Sequence, residues 1–156
     1  MAFLFSLVSD EEIRPFLGRP AESEDEVRAA IERSEREPDA FGWFVVEVDG
    51  ERAGSVAFER LSERNRIAQG GRFAIAPQFR GRGIGLEAAR LFQRLLLLEL
   101  DFHRIELQVY GFNERAIVHA ERCGYVREGV KRKAYLRHGA WQDAVLFSLL
   151  REELEP

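Results

Sequence analysis

Apolar and polar residues change period several times along the chain, and each change marks an element. Over 22–37 (ESEDEVRAAIERSERE), Val27, Ala30 and Ile31 recur at helical spacing behind Ser23, which suits an N-cap, and Pro38 stops the run. The pattern predicts a helix whose many charges form a solvated face. Over 41–60, aromatic and β-branched residues flank Asp49-Gly50, a pair that favours a tight turn, so two antiparallel strands are expected. Residues 66–77 read as a third strand, stopped by Pro77. After a glycine-rich turn, Ile84, Ala88, Leu91, Leu95 and Leu98 align on one side of a helix, with Glu87, Arg90 and Arg94 on another. Over 104–111 (RIELQVYG), Ile105, Leu107 and Val109 face one way along a strand. Asn113 caps a helix running to Cys123, and Gly124 suits the left-handed residue past its end. Over 131–150, two strands are expected around His138-Gly139.

The predicted order is helix, three strands, helix, strand, helix, two strands. This describes an α/β domain with a mixed, mostly antiparallel central sheet flanked by helices. All 156 residues are expected to form one domain, 1–156. The start is read in two ways: MAFLFSLV is a short first strand, or that strand is missing and the chain has a shortened start. A missing strand would expose a sheet edge, which leaves room for a homodimer.

Composition narrows the function classes. A formal net charge of -4 argues against a general nucleic-acid binder. The longest apolar run, Leu95 to Leu98, is far short of the roughly 20 residues that span a bilayer, so no membrane partner is expected. The single cysteine, Cys123, cannot form an internal disulfide, and the N-terminus does not read as a secretory signal, which together point to the cytoplasm. His103, His119 and His138 are dispersed without metal-ligand spacing, so no metal is expected. His119 reads as a packed histidine, and Phe41, Trp43 and Phe44 as strand core.

The chemistry concentrates in PQFRGRGIG, residues 77–85, where Gly81, Gly83 and Gly85 alternate with Arg80, Arg82 and Ile84 at a strand-to-helix turn. Glycines there let backbone approach a ligand, and helix-start N–H groups favour anions, so a phosphate is the natural guest. A Walker A loop would need Lys-Ser/Thr after its last glycine, whereas Gly85 is followed by Leu86 and Glu87. A dinucleotide fingerprint would need a glycine at position 86 and an acidic end to the next strand, which ends Tyr110-Gly111.

The segment resembles the acyl-CoA loop of the GNAT family of N-acetyltransferases, Gln/Arg-x-x-Gly-x-Gly/Ala, as Gln78-Phe79-Arg80-Gly81-Arg82-Gly83. The resemblance continues in NERAIVHAERCGYVREG (113–129), and HGAWQDAVLFSLLREE is similar to the closing hairpin of the branch that includes ribosomal-protein N-terminal acetyltransferases. It implies the single-domain fold of that family and acetyl-CoA as acyl donor. It also implies that backbone N–H groups of Arg80, Gly81, Arg82, Gly83, Ile84 and Gly85 hold the pyrophosphate. Phe73, Ala74, Ile75 and Ala76 would pair with the pantetheine arm, one of their amides stabilising the thioester oxygen. Asn113 would lie near the thiol end of the donor as well as capping its helix.

The acceptor implied is a primary amine, first a protein N-terminal α-amine, alternatively a small cationic amine such as a polyamine or aminoglycoside. The chain departs from the family pattern at two positions: the tyrosine that many members place seven residues after the Asn is Ala120, and the common glutamate base five before it is Gln108. Glu106, on the same strand face as Gln108, and Tyr135, in the penultimate strand, are therefore the catalytic candidates. The two departures also keep open an acyl-CoA-binding protein without turnover, and an interaction domain in which the glycine turn is structural stands as the third reading.

Overall fold

A computed structural model describes residues 1–18 and 20–154. Its strands are β1 (Phe41–Val48), β2 (Glu51–Ser62), β3 (Ile67–Ile75), β4 (Arg104–Tyr110), β5 (Val126–Arg137) and β6 (Ala140–Leu150). They form one sheet in the order β1-β2-β3-β4-β6-β5, antiparallel throughout except where β3 meets β4. Both hairpin turns expected from the sequence are present. Asp49 and Gly50 have φ of 51° and 81°, and His138 and Gly139 have 54° and 71°, as a two-residue turn matched to strand twist requires.

Four helices cover the sheet: α1 (Ala2–Ser9), α2 (Glu24–Arg36), α3 (Ile84–Arg94) and α4 (Glu114–Arg122). Ser23 caps α2 by accepting from the Glu26 amide at 3.3 Å, and Glu24, Asp25 and Glu26 in the first turn oppose Arg33 and Arg36 in the last, complementing the helix dipole. Asn113 caps α4 by accepting from the Ala116 amide at 3.2 Å, and Gly124 takes φ of 85° past its end.

Two expectations are corrected. MAFLFSLV is helical, not a strand, with Leu4, Leu7 and Val8 buried at i, i+3 and i+4. A short, nearly continuous apolar run fits either period, and packing on α2 and β2 selects the helix. The sheet therefore begins at β1 among the described residues. Its outer edge is partly satisfied by the chain itself, since the Phe41 amide donates to Glu37 C=O at 2.9 Å and the Trp43 amide to Ser34 Oγ at 3.2 Å. The buried stripe of α3 and of the π-helical turn that continues it, Leu95–Glu99, is also displaced: Ile84, Ala88, Ala89, Phe92, Leu96 and Leu97 are buried, whereas Leu91 is 64% exposed and Leu98 also faces solvent. A leucine-rich run offers two adjacent stripes, and the one carrying Phe92 packs beside Leu96, Phe102 and Ile105.

Two apolar layers result. On one face, α1 and α2 cover Phe41, Trp43, Ala53, Ala57 and Ala74. On the other, α3 and α4 cover Phe58, Ile105, Val145, Phe147 and Leu149. At the base of β3 and β4, Asp101 bridges Arg66 (2.6 Å) and Arg151, and the His103 amide donates to Arg66 C=O at 2.8 Å.

Candidate active site

The parallel contact between β3 and β4 is limited to three residue pairs, Ile67–Arg104, Ala68–Ile105 and Gln69–Glu106. Beyond Gln69, β3 pairs only with β2, so the two strands fork. The cause lies in β3 itself. Its register against β2 shifts between Gly71 and Ala74, and Arg72 there has φ of 49°. Ser55, fully buried, donates its hydroxyl to the Arg72 carbonyl at 3.1 Å and fixes the bulge from beneath. The Arg72 guanidinium lies 4.4 Å from the Trp43 ring centroid.

Past the bulge, the Ala76 amide donates back to Ala53 C=O at 2.8 Å. Backbone groups alternate along a strand, so those of Phe73 and Ile75 face the fork, while Ala74 and Ala76 face β2. The Ile75 carbonyl is occupied: it accepts from Arg80 Nε at 3.0 Å.

The glycine turn follows at the end of β3. Pro77–Phe79 forms one 3-10 turn, in which the Arg80 amide donates to Pro77 C=O at 3.2 Å. Gly81 and Gly83 have φ of 75° and 76°, and no atom lies within 4 Å of where a Cβ would stand on either. They bend the chain into α3 while leaving an open concave backbone, followed by the unpaired first-turn amides of Ile84, Gly85 and Leu86. The Arg80 side chain is committed to Ile75 and to Glu12 at 3.0 Å, whereas Arg82 is exposed with its guanidinium 5.7 Å from the Phe79 ring centroid. Gln78 is exposed as well.

Behind the fork, α4 brings His119 to Phe73, ring centroids 4.9 Å apart, and to within 3.4 Å of the position of a Cβ on Gly85. Burial, reinforced by the Arg122 charge, lowers the His119 pKa and keeps its ring neutral. Its Nε2 lies 3.5 Å from Cys123 Sγ, a thiol that burial pushes up to about 11 against the opposing pull of Arg90. Ala120 is buried in the core beside it.

The front face of β4 carries Arg104, Glu106, Gln108 and Tyr110. Tyr135 reaches across from β5 and donates its hydroxyl proton to Gln108 Oε1. Glu106 lies one pleat back, roughly 7 Å along the strand, with its Oε1 accepting from Arg104 Nε at 2.8 Å. Arg104 also binds Glu128, chiefly through which its own pKa is raised, and Glu106 adds to that rise. Glu128 is lowered by Arg104 and by Ser148, whose hydroxyl donates to it at 2.8 Å. Tyr110 stacks on Phe112 at 5.0 Å and meets Tyr135 edge-on at 6.0 Å. Phe112 in turn touches Phe16 at 6.0 Å and His138 at 5.4 Å.

The two catalytic candidates thus stand on one face at the fork, and the donor candidates from Phe73 to Gly85 line its other arm and tip, while Asn113 follows β4 as the cap of α4. Sequence reasoning missed Ser55, which shapes the bulge, and the wall formed by Phe16, Phe112 and His138. A Tyr-x-Phe at the end of a strand carried no signal that residues 16 and 138 would meet it.

A fold of this kind is shared with solved proteins. The spermidine N-acetyltransferase from Vibrio cholerae in complex with CoA and spermine superposes with a TM-score of 0.87 at 24% identity, covering 98% of this chain and 90% of that one. In sequence, the putative ribosomal N-acetyltransferase YdaF of Bacillus subtilis (strain 168) is 33% identical over 69% of this chain, and the spermidine N(1)-acetyltransferase of Escherichia coli (strain K12) is 28% identical over 70%. These matches span 58% and 59% of the two relatives' own lengths. The model of the acetyltransferase (GNAT) domain matches residues 1–126. With its forked sheet and glycine turn, the chain belongs to the GNAT family of acetyltransferases.

Proposed function

We propose that this acetyltransferase moves the acetyl group of acetyl-CoA to a primary amine, with a protein N-terminal α-amine as the first acceptor. The observation that carries the reading is the fork between β3 and β4, which ends in a turn of two left-handed glycines with open space above them. That turn suits a pyrophosphate, and the fork suits an extended amide-bearing arm. The likeness to a putative ribosomal N-acetyltransferase supports the protein acceptor. A polyamine acceptor is the second reading, favoured by the likeness to a spermidine N(1)-acetyltransferase.

Acetyl-CoA supplies the acyl group as a thioester. Amides of Gly81, Arg82, Gly83, Ile84 and Gly85 hold the pyrophosphate, with the Arg80 amide, itself bonded to Pro77, closing the turn. Along Phe73, Ala74, Ile75 and Ala76, the groups facing the fork pair with the arm, and one amide donates to the acyl oxygen. Gln78 flanks the turn, and Asn113 borders the thiol end. An alkylamine with a pKa near 10 must shed a proton before it attacks. Glu106, partly exposed on the front face, takes that proton through water, and Tyr135, oriented by Gln108, accepts from the amine and positions it. A thiol leaving group, with a pKa of about 8.5, needs little protonation; Ala120 therefore does not stop the reaction.

One domain over 1–156 in a reducing cytoplasm completes the proposal, supported by the lone free thiol. So does a homodimer that covers the cross-strand pair Leu136 and Trp141, 64% and 62% exposed. Among the described residues, no helix is long and apolar enough to cross a membrane.

Calorimetric titration with acetyl-CoA, followed by measurement of thiol release on adding amines, tests the activity. Binding with amine-dependent release is expected, and Gly83→Asp should weaken binding at least tenfold by placing bulk and negative charge where the pyrophosphate lies. Unchanged affinity in folded Gly83→Asp removes the loop assignment, and binding without release to any amine leaves a silent acyl-CoA binder.

A further inference from the structure

Beside the aromatic wall lies an open surface cleft of about 460 Å³ lined by Ser9, Glu11, Arg14, Pro15, Arg137 and His138. It forms where the segment after α1 meets the tip of the β5–β6 hairpin. Arg137 Nη2 donates to Arg14 C=O at 2.8 Å, and His138 Nε2 lies 2.9 Å from Pro15 C=O. The cleft adjoins the proposed acceptor site. Arg137 is two residues from Tyr135 on one strand and shares its face, and the His138 ring touches Phe112, which stacks on Tyr110.

Its charge is the informative feature. Arg14, Arg137 and His138 line it together with a single carboxylate residue, Glu11. Nearby acids have partners elsewhere: Asp10 with the Glu12 amide, Glu12 with Arg80, Glu106 and Glu128 with Arg104, and Asp143 with the Lys133 amide. The Arg14 side chain has no carboxylate within ion-pair distance among the described residues, and Arg137 Nε–H is buried without a hydrogen-bond partner. Buried guanidinium donors left unpaired are uncommon, and paired arginines are the usual receptors for planar anions. A polyamine, cationic along its whole length, would meet one carboxylate there against two arginines and a histidine.

We infer that the acceptor carries a carboxylate a few bonds from its reacting amine, and that Arg14 and Arg137 hold it. The inference rests on the acetyltransferase reading and names the substrate class of that site. An acidic residue near a peptide N-terminus and the α-carboxylate of a free amino acid share this chemistry.

Thiol release is to be followed with acetyl-CoA and four acceptors: a C-terminally amidated peptide bearing Asp or Glu at its second position, the same peptide with Asn or Gln there, free glutamate, and spermidine. An acid-to-amide ratio of at least tenfold in kcat/KM is expected from the peptides or, if the source is a free amino acid, glutamate exceeding both peptides. Spermidine should fall below the favoured acid. Arg14→Gln and Arg137→Gln should each bring the ratio near unity; because Arg14 meets the hairpin through its backbone carbonyl, the first variant keeps that contact. Equal rates on acid and amide peptides and no preference for glutamate, or a preference for spermidine, overturn the inference while leaving the transferase intact. A preference that survives both variants overturns the role of the two arginines. If no amine releases thiol and none binds the CoA-saturated protein, both readings fail.

Discussion

Tyr135 and Gln108 orient one another, and this changes what each can do. A hydroxyl donating to an amide oxygen keeps its lone pairs for an incoming N–H, so Tyr135 can position the amine without giving up its own proton. Tyr135→Phe should lower kcat tenfold or more while the acetyl-CoA dissociation constant stays within twofold, and Glu106→Gln should act similarly if its carboxylate takes the amine proton. Steady-state kinetics beside calorimetry separates the two effects; normal kcat in both variants clears both residues. The restraint on Glu106 was half legible, since Arg104-x-Glu106 puts the two on one strand face. Glu128 and Ser148, which complete the cluster, come from strands whose register no local pattern states. His119 gives a pH signature. Its folded pKa lies below the ordinary 6.5, so the unfolded chain binds the proton first as pH falls. The stability tied to the neutral ring is complete above that value and is lost as pH drops through the folded pKa. Between pH 7.5 and 5.5, wild-type Tm should therefore fall further than that of His119→Gln, and equal declines would contradict it.

At the level of elements, the bulge in β3 makes the fork, and the buried Ser55 hydroxyl helps to hold it. Ser55→Ala removes the hydroxyl that donates to the Arg72 carbonyl, and loss of a buried hydrogen bond costs about 1–3 kcal/mol. It should also weaken acetyl-CoA binding by loosening the strand proposed to receive the arm. Denaturant unfolding and calorimetry on the same variant check both, and a stability loss with unaltered binding would separate the bulge from the donor site. Ser23→Ala is the contrasting case: loss of the α2 cap should cost ~1 kcal/mol with no change in turnover. Most elements could be read from period and punctuation, because Asp49-Gly50, Ser23, Asn113 and Gly124 each impose a local geometry found in the structure. What local signals could not decide was the partner. MAFLFSLV became a helix because α2 and β2 offered it a surface, and α3 buried the stripe with Phe92 rather than the one with Leu91 for the same reason. The bulge at Arg72 is likewise invisible in a strand reading, since Gln-Gly-Gly-Arg-Phe continues a tolerable alternation.

Across the whole molecule, charge and apolar surface are unevenly placed. The acidic α2 and the basic hairpin lie at opposite ends of the sheet order, so a modest net charge conceals a local positive field at the proposed acceptor mouth. Leu136 and Trp141 add exposed apolar surface to that hairpin. Sedimentation should find a dimer at micromolar concentration, shifted toward monomer by Trp141→Ser; a wild-type monomer would remove the homodimer from the proposal.

The three residue pairs at the root of the fork join the β1–β3 half of the sheet to the β4–β6 half. A ladder so short leaves most of the joining to the apolar layer under α3 and α4, which draws Phe58 and Ala68 from one half and Ile105, Phe147 and Leu149 from the other. An acyl donor seated between the arms, as proposed, would supply the missing rungs. It would thus act as a structural suture as well as a reagent, and saturation with it should raise the melting temperature.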